Sequence, residues 1–265
     1  MESLLMDAAQ RKIVFVGAGN LATNLALALQ DARYHIVQVY SRTEASARLL
    51  AERLKSAYTT DVAHICTDAD LYIYALTDEA LPTVINNMPR INGIHVHTAG
   101  SMPMHIFDGK QANYGVVYPF QTFSKNKRVD FTHVPIFVEA NNAQTLDLLI
   151  NTVRTISKNV YFANSEDRKF LHLSGVFANN FTNYLYTIAA DLLAERGLPF
   201  EVLQPLIREG VGKLDSLSPI EAQTGPAVRG DHSVVSEHLR LLADHPAWAQ
   251  LYQTLSEAIE QQHKV

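Results

Sequence analysis

The stretch Lys12-Ile13-Val14-Phe15-Val16-Gly17-Ala18-Gly19-Asn20-Leu21-Ala22 decides how the rest of this 265-residue chain is read. Ile13 to Val16 is an unbroken apolar run, the pattern of a strand buried on both faces of a parallel sheet. It stops at Gly17-Ala18-Gly19, and a helical period begins at once, with Leu21, Leu25, Ala28 and Leu29 on one face. Strand, glycine turn and helix in that order form the G-x-G-x-x-A dinucleotide fingerprint. Gly17 allows the tight turn, Gly19 lets the backbone approach a pyrophosphate, and Ala22 permits close helix-on-sheet packing. The helix, opening at Asn20 and Leu21, would hold phosphates on its free N–H groups at its positive dipole end. The competing reading is a glycine turn in some other α/β fold. The preceding strand, the following helix and the place near the N-terminus favour the fingerprint.

Working outward, His35 to Tyr40 reads as a second strand ending in Ser41-Arg42. An acidic residue here would bind the ribose 2′-hydroxyl of NAD, whereas an arginine suits the 2′-phosphate of NADP. Gln38 to Thr43 holds no Asp or Glu; Arg42 offers a planar donor fork and Ser41 a hydroxyl, so NADP(H) is the expected cofactor. The plainer alternative is a solvated arginine at a strand end. Glu44 to Leu54 is an amphipathic helix, and Leu71 to Leu76 a strand leading into Thr77-Asp78. In a doubly wound sheet Leu76, Thr77 and Asp78 lie at the cofactor edge, and Asp78 is also placed to start the helix beyond it.

Gly93 to Thr98 reads as another strand with His95 and His97 on one face. Two histidines without a third ligand make a poor metal site, so no metal is assigned. Ala99-Gly100-Ser101 forms a small-residue turn where open α/β sheets bind ligands; Ser101 could donate to a substrate carboxylate or cap the next segment. Lys125 to Arg128 reads as a solvated basic loop. Val134 to Glu139, Ala143 to Ile156 and Asn159 to Phe162 continue the alternation as strand, helix and strand, after which everything reads as helix. These patterns predict an α/β doubly wound, mostly parallel sheet at residues 1–163 and an all-α domain at 164–265.

Phe170 to Ala190 carries no Lys, Arg, Asp or Glu. On an uninterrupted helix, Phe170, Leu173, Phe177, Phe181, Tyr184, Leu185 and Ile188 share a broad apolar face, while His172, Gly175, Asn179 and Asn183 lie opposite. Three asparagines and a histidine exclude a membrane span. The expected arrangement is a helix buried on both sides, against its own domain and against a cleft or a second subunit. His172 is the candidate general acid and Asn179 its companion on the substrate, with Asn183 further along; a hydrogen-bonded role at a dimer interface is the alternative. Later, Thr224 to Asp231 forms a loop shaped by two glycines and a proline, in which Arg229 could hold an anionic substrate or pair with Asp231.

The composition, 47% apolar and 18% charged, is that of a globular protein. A net charge of −5 without a Lys/Arg cluster argues against nucleic acid. The single cysteine, Cys66, excludes internal disulfides, and the first ten residues, MESLLMDAAQ, lack a secretory pattern, so a cytoplasmic protein is expected.

GAGNLA, the Ser41-Arg42 strand end, HTAGS, YPFQTFS, HLSGVFANNF and TGPAVRGD together resemble the Rossmann-like proteins with a DUF2520 C-terminal domain, named as NADP or coenzyme F420-dependent oxidoreductases. More distantly the chain is similar to pyrroline-5-carboxylate reductase and ketopantoate reductase. That resemblance implies a Rossmann domain with a helical domain like the C-terminal one of 6-phosphogluconate dehydrogenase. It also implies hydride transfer in the cleft between domains, a homodimer through the C-terminal helices, and a small anionic carbonyl or imine substrate. A non-catalytic NADP-binding sensor and an F420 reductase are the alternatives. Ketopantoate reductase and the β-hydroxyacid dehydrogenases carry a lysine on the long helix. Here the nearby lysine, Lys169, precedes the uncharged stretch, and His172 takes the acid's place on geometry.

Overall fold

The computed structural model describes residues 11–264; the opening stretch read as lacking a secretory pattern lies outside them. The chain divides into two compact units, Met1–Ala178 and Asn179–Val265.

The first unit is a single eight-stranded sheet flanked by helices. Its elements run β1 (Lys12–Val16), α1 (Asn20–Asp31), β2 (His35–Tyr40), α2 (Glu44–Leu54), β3 (Ala57–Thr59), β4 (Leu71–Tyr74), α3 (Ala80–Asn87), β5 (Ile94–His97), β6 (Asn113–Pro119), β7 (Ile136–Ala140), α4 (Ala143–Arg154) and β8 (Val160–Phe162). The strand order is β3-β2-β1-β4-β5-β6-β7-β8. Every pairing is parallel except β6 with β7. The first six strands thus follow the doubly wound order of a Rossmann sheet, whose reversal point lies between β1 and β4. The edge strand β3 was not foreseen, because three residues are too few to show a period.

Burial explains why β1 leads. Ile13 and Phe15 join a core with Leu25, Ala26 and Leu29 of α1 and Leu149 of α4, whereas Val14 and Val16 join Tyr72, Tyr74, Leu81 and Phe107 on the other face. Ile13, Val14, Phe15 and Val16 are all inaccessible to solvent. Buried Asn24 of α1 ties the loop after β6 to the sheet: its amide donates to Ser124 O (2.9 Å) and its carbonyl accepts from Val129 N–H (3.0 Å). Within that basic loop Arg128 pairs with Asp31 of α1, so the segment is anchored on one side.

Strand–helix alternation ends at Phe162, but the chain stays with the first unit through α5 (Ser165–Gly175). The first compact unit runs to Ala178, and buried Arg168 ties α5 to Glu139 of β7 and to the turn after β5. A π-helical segment, Val176–Phe181, comes next, then α6 (Thr182–Ala194), α7 (Gln204–Gly212), a short turn of helix at Pro219–Ala222, α8 (His232–Leu241) and α9 (Pro246–His263).

The second unit has little interior. Among its described residues only Leu242 is buried. Local devices hold it: Asp231 caps α8, His238 Nδ1 and Tyr252 OH lie 2.8 Å apart, and His245 stacks on Trp248. The Asp231 carboxylate accepts from the Ser233 hydroxyl and from Val234 N–H. The apolar residues of the uncharged stretch lie at the surface of the single chain. Phe170 is 70% exposed and Phe177 62%, and Leu173, Tyr184 and Leu185 are exposed with them. No described helix is long and apolar enough to cross a membrane.

Candidate active site

At the carboxyl end of β1 the backbone turns at Gly17 with φ +124°, a value open to glycine, and its N–H donates to Tyr40 O (2.8 Å). A Cβ there would stand 2.2 Å from Ala75 O on the β4 side, so only a hydrogen fits. Gly19 is the opposite case. A Cβ on it meets nothing within 4 Å, and as the N-cap of α1 it brings no side chain to the helix's free N–H groups. With exposed Asn20 and half-buried Leu21, this leaves an open, uncapped helix N-terminus without acidic residues in its first turn. Such a cradle fits a pyrophosphate. At the end of β2, Ser41 N–H donates to Thr59 O (3.2 Å), its hydroxyl is uncommitted in that bond, and Arg42 is exposed.

The neighbouring strand ends supply the rest. Leu76, Thr77 and Asp78 lie just beyond β4. Thr77, not Asp78, takes the helix start: its carbonyl accepts from Ala80 and Leu81 N–H and its hydroxyl from Ala80 N–H (3.4 Å). The Asp78 carboxylate instead accepts the hydroxyl proton of Ser101, beyond β5. The Ser101 hydroxyl hydrogen is thus committed to Asp78. Thr98 Oγ1 donates to Tyr74 O (3.3 Å) and locks the two strand ends together.

His95 and His97 are packing groups. His95 stacks on Tyr72 with ring centroids 4.5 Å apart, and its two nitrogens lie 2.9 Å from Tyr74 OH and 3.3 Å from Ile91 O. Burial holds its pKa down to about 4. His97 Nδ1 accepts from Ala99 N–H (3.2 Å), and burial, aided by the Arg168 charge, holds that ring down to about 3. Both rings are neutral at pH 7.

Three residues to which sequence patterns assign no role organise this edge. Arg168 of α5 is completely buried. Its Nη1 donates to Glu139 Oε2 of β7 (2.6 Å), its Nε to Ala99 O (3.2 Å), and its Nη2 to Met102 O (2.6 Å) and Ser165 Oγ (3.3 Å). Glu139 also accepts from Ser165 N–H and Oγ. One guanidinium thus pins both ends of the Ala99–Met102 turn to α5. Tyr118, at the end of β6 and 8% exposed, lies with its hydroxyl 3.2 Å from Nδ1 of His172. Gly100 makes room for that pair: a Cβ there would sit 2.7 Å from Tyr118 Cζ and 2.9 Å from His172 Cβ.

Arg168, His172 and Gly175 are spaced i, i+4 and i+7, so they share one face of α5. This face, and not the apolar one, meets the sheet, with Gly175 lying against Phe120. That spacing is visible in the sequence, but Arg168 stands in the charged run Glu166–Lys169, which reads as a solvated flank. The chain leaves α5 through the π-helical turn at Val176–Phe181. Asn179, Asn183 and Arg229 belong to the second unit, and all three are exposed.

Known proteins share this sequence pattern and fold. Residues 12–96 match the family described as NADP oxidoreductase coenzyme F420-dependent, and residues 134–259 match the domain of unknown function DUF2520. The Bacteroides fragilis protein named "putative NADP oxidoreductase BF3122" is 48% identical, covering 96% of this chain and 99% of its own, with a TM-score of 0.90. The chain belongs to this NADP oxidoreductase family. It is accordingly an NADP-dependent oxidoreductase by family, with NADP(H) as cofactor. Two more distant structures share its fold. The Aspergillus terreus reductive aminase, solved with NADPH and ethyl levulinate, is 17% identical over 95% of this chain and 93% of its own (TM-score 0.71). The 1-pyrroline-5-carboxylate reductase of Streptococcus pyogenes is 13% identical over 95% and 98% (TM-score 0.66). Among curated proteins none matches the chain.

Proposed function

We propose that this oxidoreductase reduces a small anionic carbonyl or imine compound with NADPH, using His172 as proton donor. One observation carries the reading: the Gly17 cradle and the Tyr118–His172 pair stand on the same edge of the sheet. They are three strand spacings apart, roughly 14 Å, a distance suited to a dinucleotide laid from its pyrophosphate towards its reactive ring. NADPH, when bound, supplies the hydride.

The backbone of Gly17, Gly19, Asn20 and Leu21 binds the pyrophosphate, Ser41 and Arg42 the 2′-phosphate, and Leu76, Thr77 and Asp78 line the path between them and the reacting end. Ser101 orients the substrate once its hydrogen is released from Asp78. Arg168 is committed to Glu139 and two carbonyls, so an anionic group on the substrate must find its cation elsewhere. Arg229 is assigned that role, with Asn179 and Asn183 as amide contacts. The exposed apolar side chains of the helical unit support a homodimer built through it: burying a large apolar side chain contributes ~1.5–3 kcal/mol, and this unit buries few on its own.

The test is NADPH oxidation across a panel of carbonyl and imine acids. His172→Ala should lower turnover roughly 100-fold or more while leaving NADPH binding intact. Arg42→Asp should move preference from NADPH towards NADH by roughly 10-fold or more, the scale of charge-assisted hydrogen bonds. NADPH binding without turnover on the whole panel, or on F420, would instead favour a sensor.

A further inference from the structure

The hydroxyl of Tyr118 is a buried donor whose partner among the described residues is Nδ1 of His172, 3.2 Å away. His172 itself is exposed, so its Nε2 can exchange hydrogen bonds with water in either protonation state. The accounting is therefore one-sided. A buried O–H left without an acceptor costs roughly 1–3 kcal/mol, whereas a solvated ring nitrogen loses nothing by carrying the hydrogen. We infer that Tyr118 fixes neutral His172 as the Nε2–H tautomer and serves as the source of the proton that His172 hands to the substrate.

This rests on His172 being the donor proposed above. In the step itself, the substrate heteroatom carries the electron pair released as its carbon accepts hydride, and it takes the Nε2 proton. Nδ1 takes the hydroxyl proton of Tyr118, so the ring ends as the other neutral tautomer and the negative charge rests on the phenolic oxygen. Water then reprotonates Nε2, and Nδ1 returns its proton to Tyr118. Tyr118 never meets the substrate; it is a positioning residue acting through the imidazole.

The surroundings suit such a device. Burial raises the Tyr118 pKa to about 12, so the phenol is protonated and able to donate at working pH, while the Arg168 charge opposes that rise and favours the transient phenolate. Asp78 acts against it from the β4 end. The other ionisable groups at this edge are Glu139, held by Arg168, and His97, neutral through burial. Gly100, which leaves space for both rings, keeps the pair together.

Two measurements test the pair. Long-range ¹H–¹⁵N correlation spectra of the ¹⁵N-labelled full chain, without cofactor or substrate, should show His172 as the Nε2–H tautomer above pH 7, and Tyr118→Phe should give a mixture. With NADPH and a turned-over substrate, wild-type kcat should stay flat from pH 6 to about 9. In Tyr118→Phe only the imidazolium can give a proton, so kcat should fall with rising pH, by up to tenfold per pH unit. An Nδ1–H tautomer in the wild type, or a wild-type kcat that falls in parallel with the variant, overturns the inference. If Tyr118→Phe does not fold, the wild-type spectrum still decides the tautomer. Correct tautomers with no turnover on any carbonyl or imine would leave the pair standing and remove the reductase reading.

Discussion

The two units of this chain solve the burial problem in opposite ways. In the first, β1 is wholly buried from Ile13 to Val16, both faces of the sheet are covered, and even the guanidinium of Arg168 is enclosed and bonded. In the second, Leu242 alone among the described residues is buried, while Leu206 is 68% exposed. The first can be read as a finished fold. The second is a set of helices that leaves large apolar side chains such as Leu206, Leu185 and Tyr184 exposed. The lesson lies in α5, where Arg168, His172 and Gly175 meet the sheet edge while Phe170 and Leu173 are exposed.

That contrast can be broken most strongly by acid. His95 and His97 are held neutral well below the ordinary histidine range of about 6.5, so the unfolded chain binds protons that the native one refuses. Their contribution is intact above pH 6.5 and is lost as pH falls towards the folded values. By pH 4 the loss should reach roughly 3 kcal/mol for each ring. Denaturant midpoints at pH 7, 5.5 and 4.5 should show it, and His95→Gln should flatten the dependence. A first unit as acid-tolerant as the second would erase the distinction.

Next in size is Arg168→Ala, which leaves the Glu139 carboxylate buried without its cation. It should cost ~3–5 kcal/mol in chemical denaturation and loosen the Ala99–Met102 turn. Arg240→Ala, which breaks an exposed, solvent-screened pair with Glu237 in the second unit, should leave the denaturation midpoint nearly unchanged. Smaller in folding energy, but decisive for the helical unit, is the pair Leu185→Asp and Leu206→Asp. It should weaken self-association roughly 100-fold or more, read as dimer-to-monomer conversion by light scattering, with little effect on the first unit. An unchanged mass would show that these side chains are not where the apolar surface is completed.

Much of this was legible in the residues. KIVFVGAGNLA announced a buried strand, a glycine turn and a helix N-terminus because all three depend on near-neighbour chemistry, and the missing acid at Gln38 to Thr43 pointed to NADP for the same reason. The helical character of the C-terminal part came from its period. Contacts distant in sequence leave no such trace. The Arg168–Glu139 pair joins residues 29 apart and Tyr118–His172 residues 54 apart. Only the stacking of strand ends brings them together. The sequence likewise named Asp78 and Ser101 as separate candidates, and the fold joined them in one hydrogen bond. Local pattern by itself therefore determined the sheet, its cofactor turn and the helical tail. The tertiary structure decided which face of α5 is inward, because a helix presents whichever side its neighbours can satisfy, and here the sheet edge offered acceptors for an arginine and a phenol for a histidine.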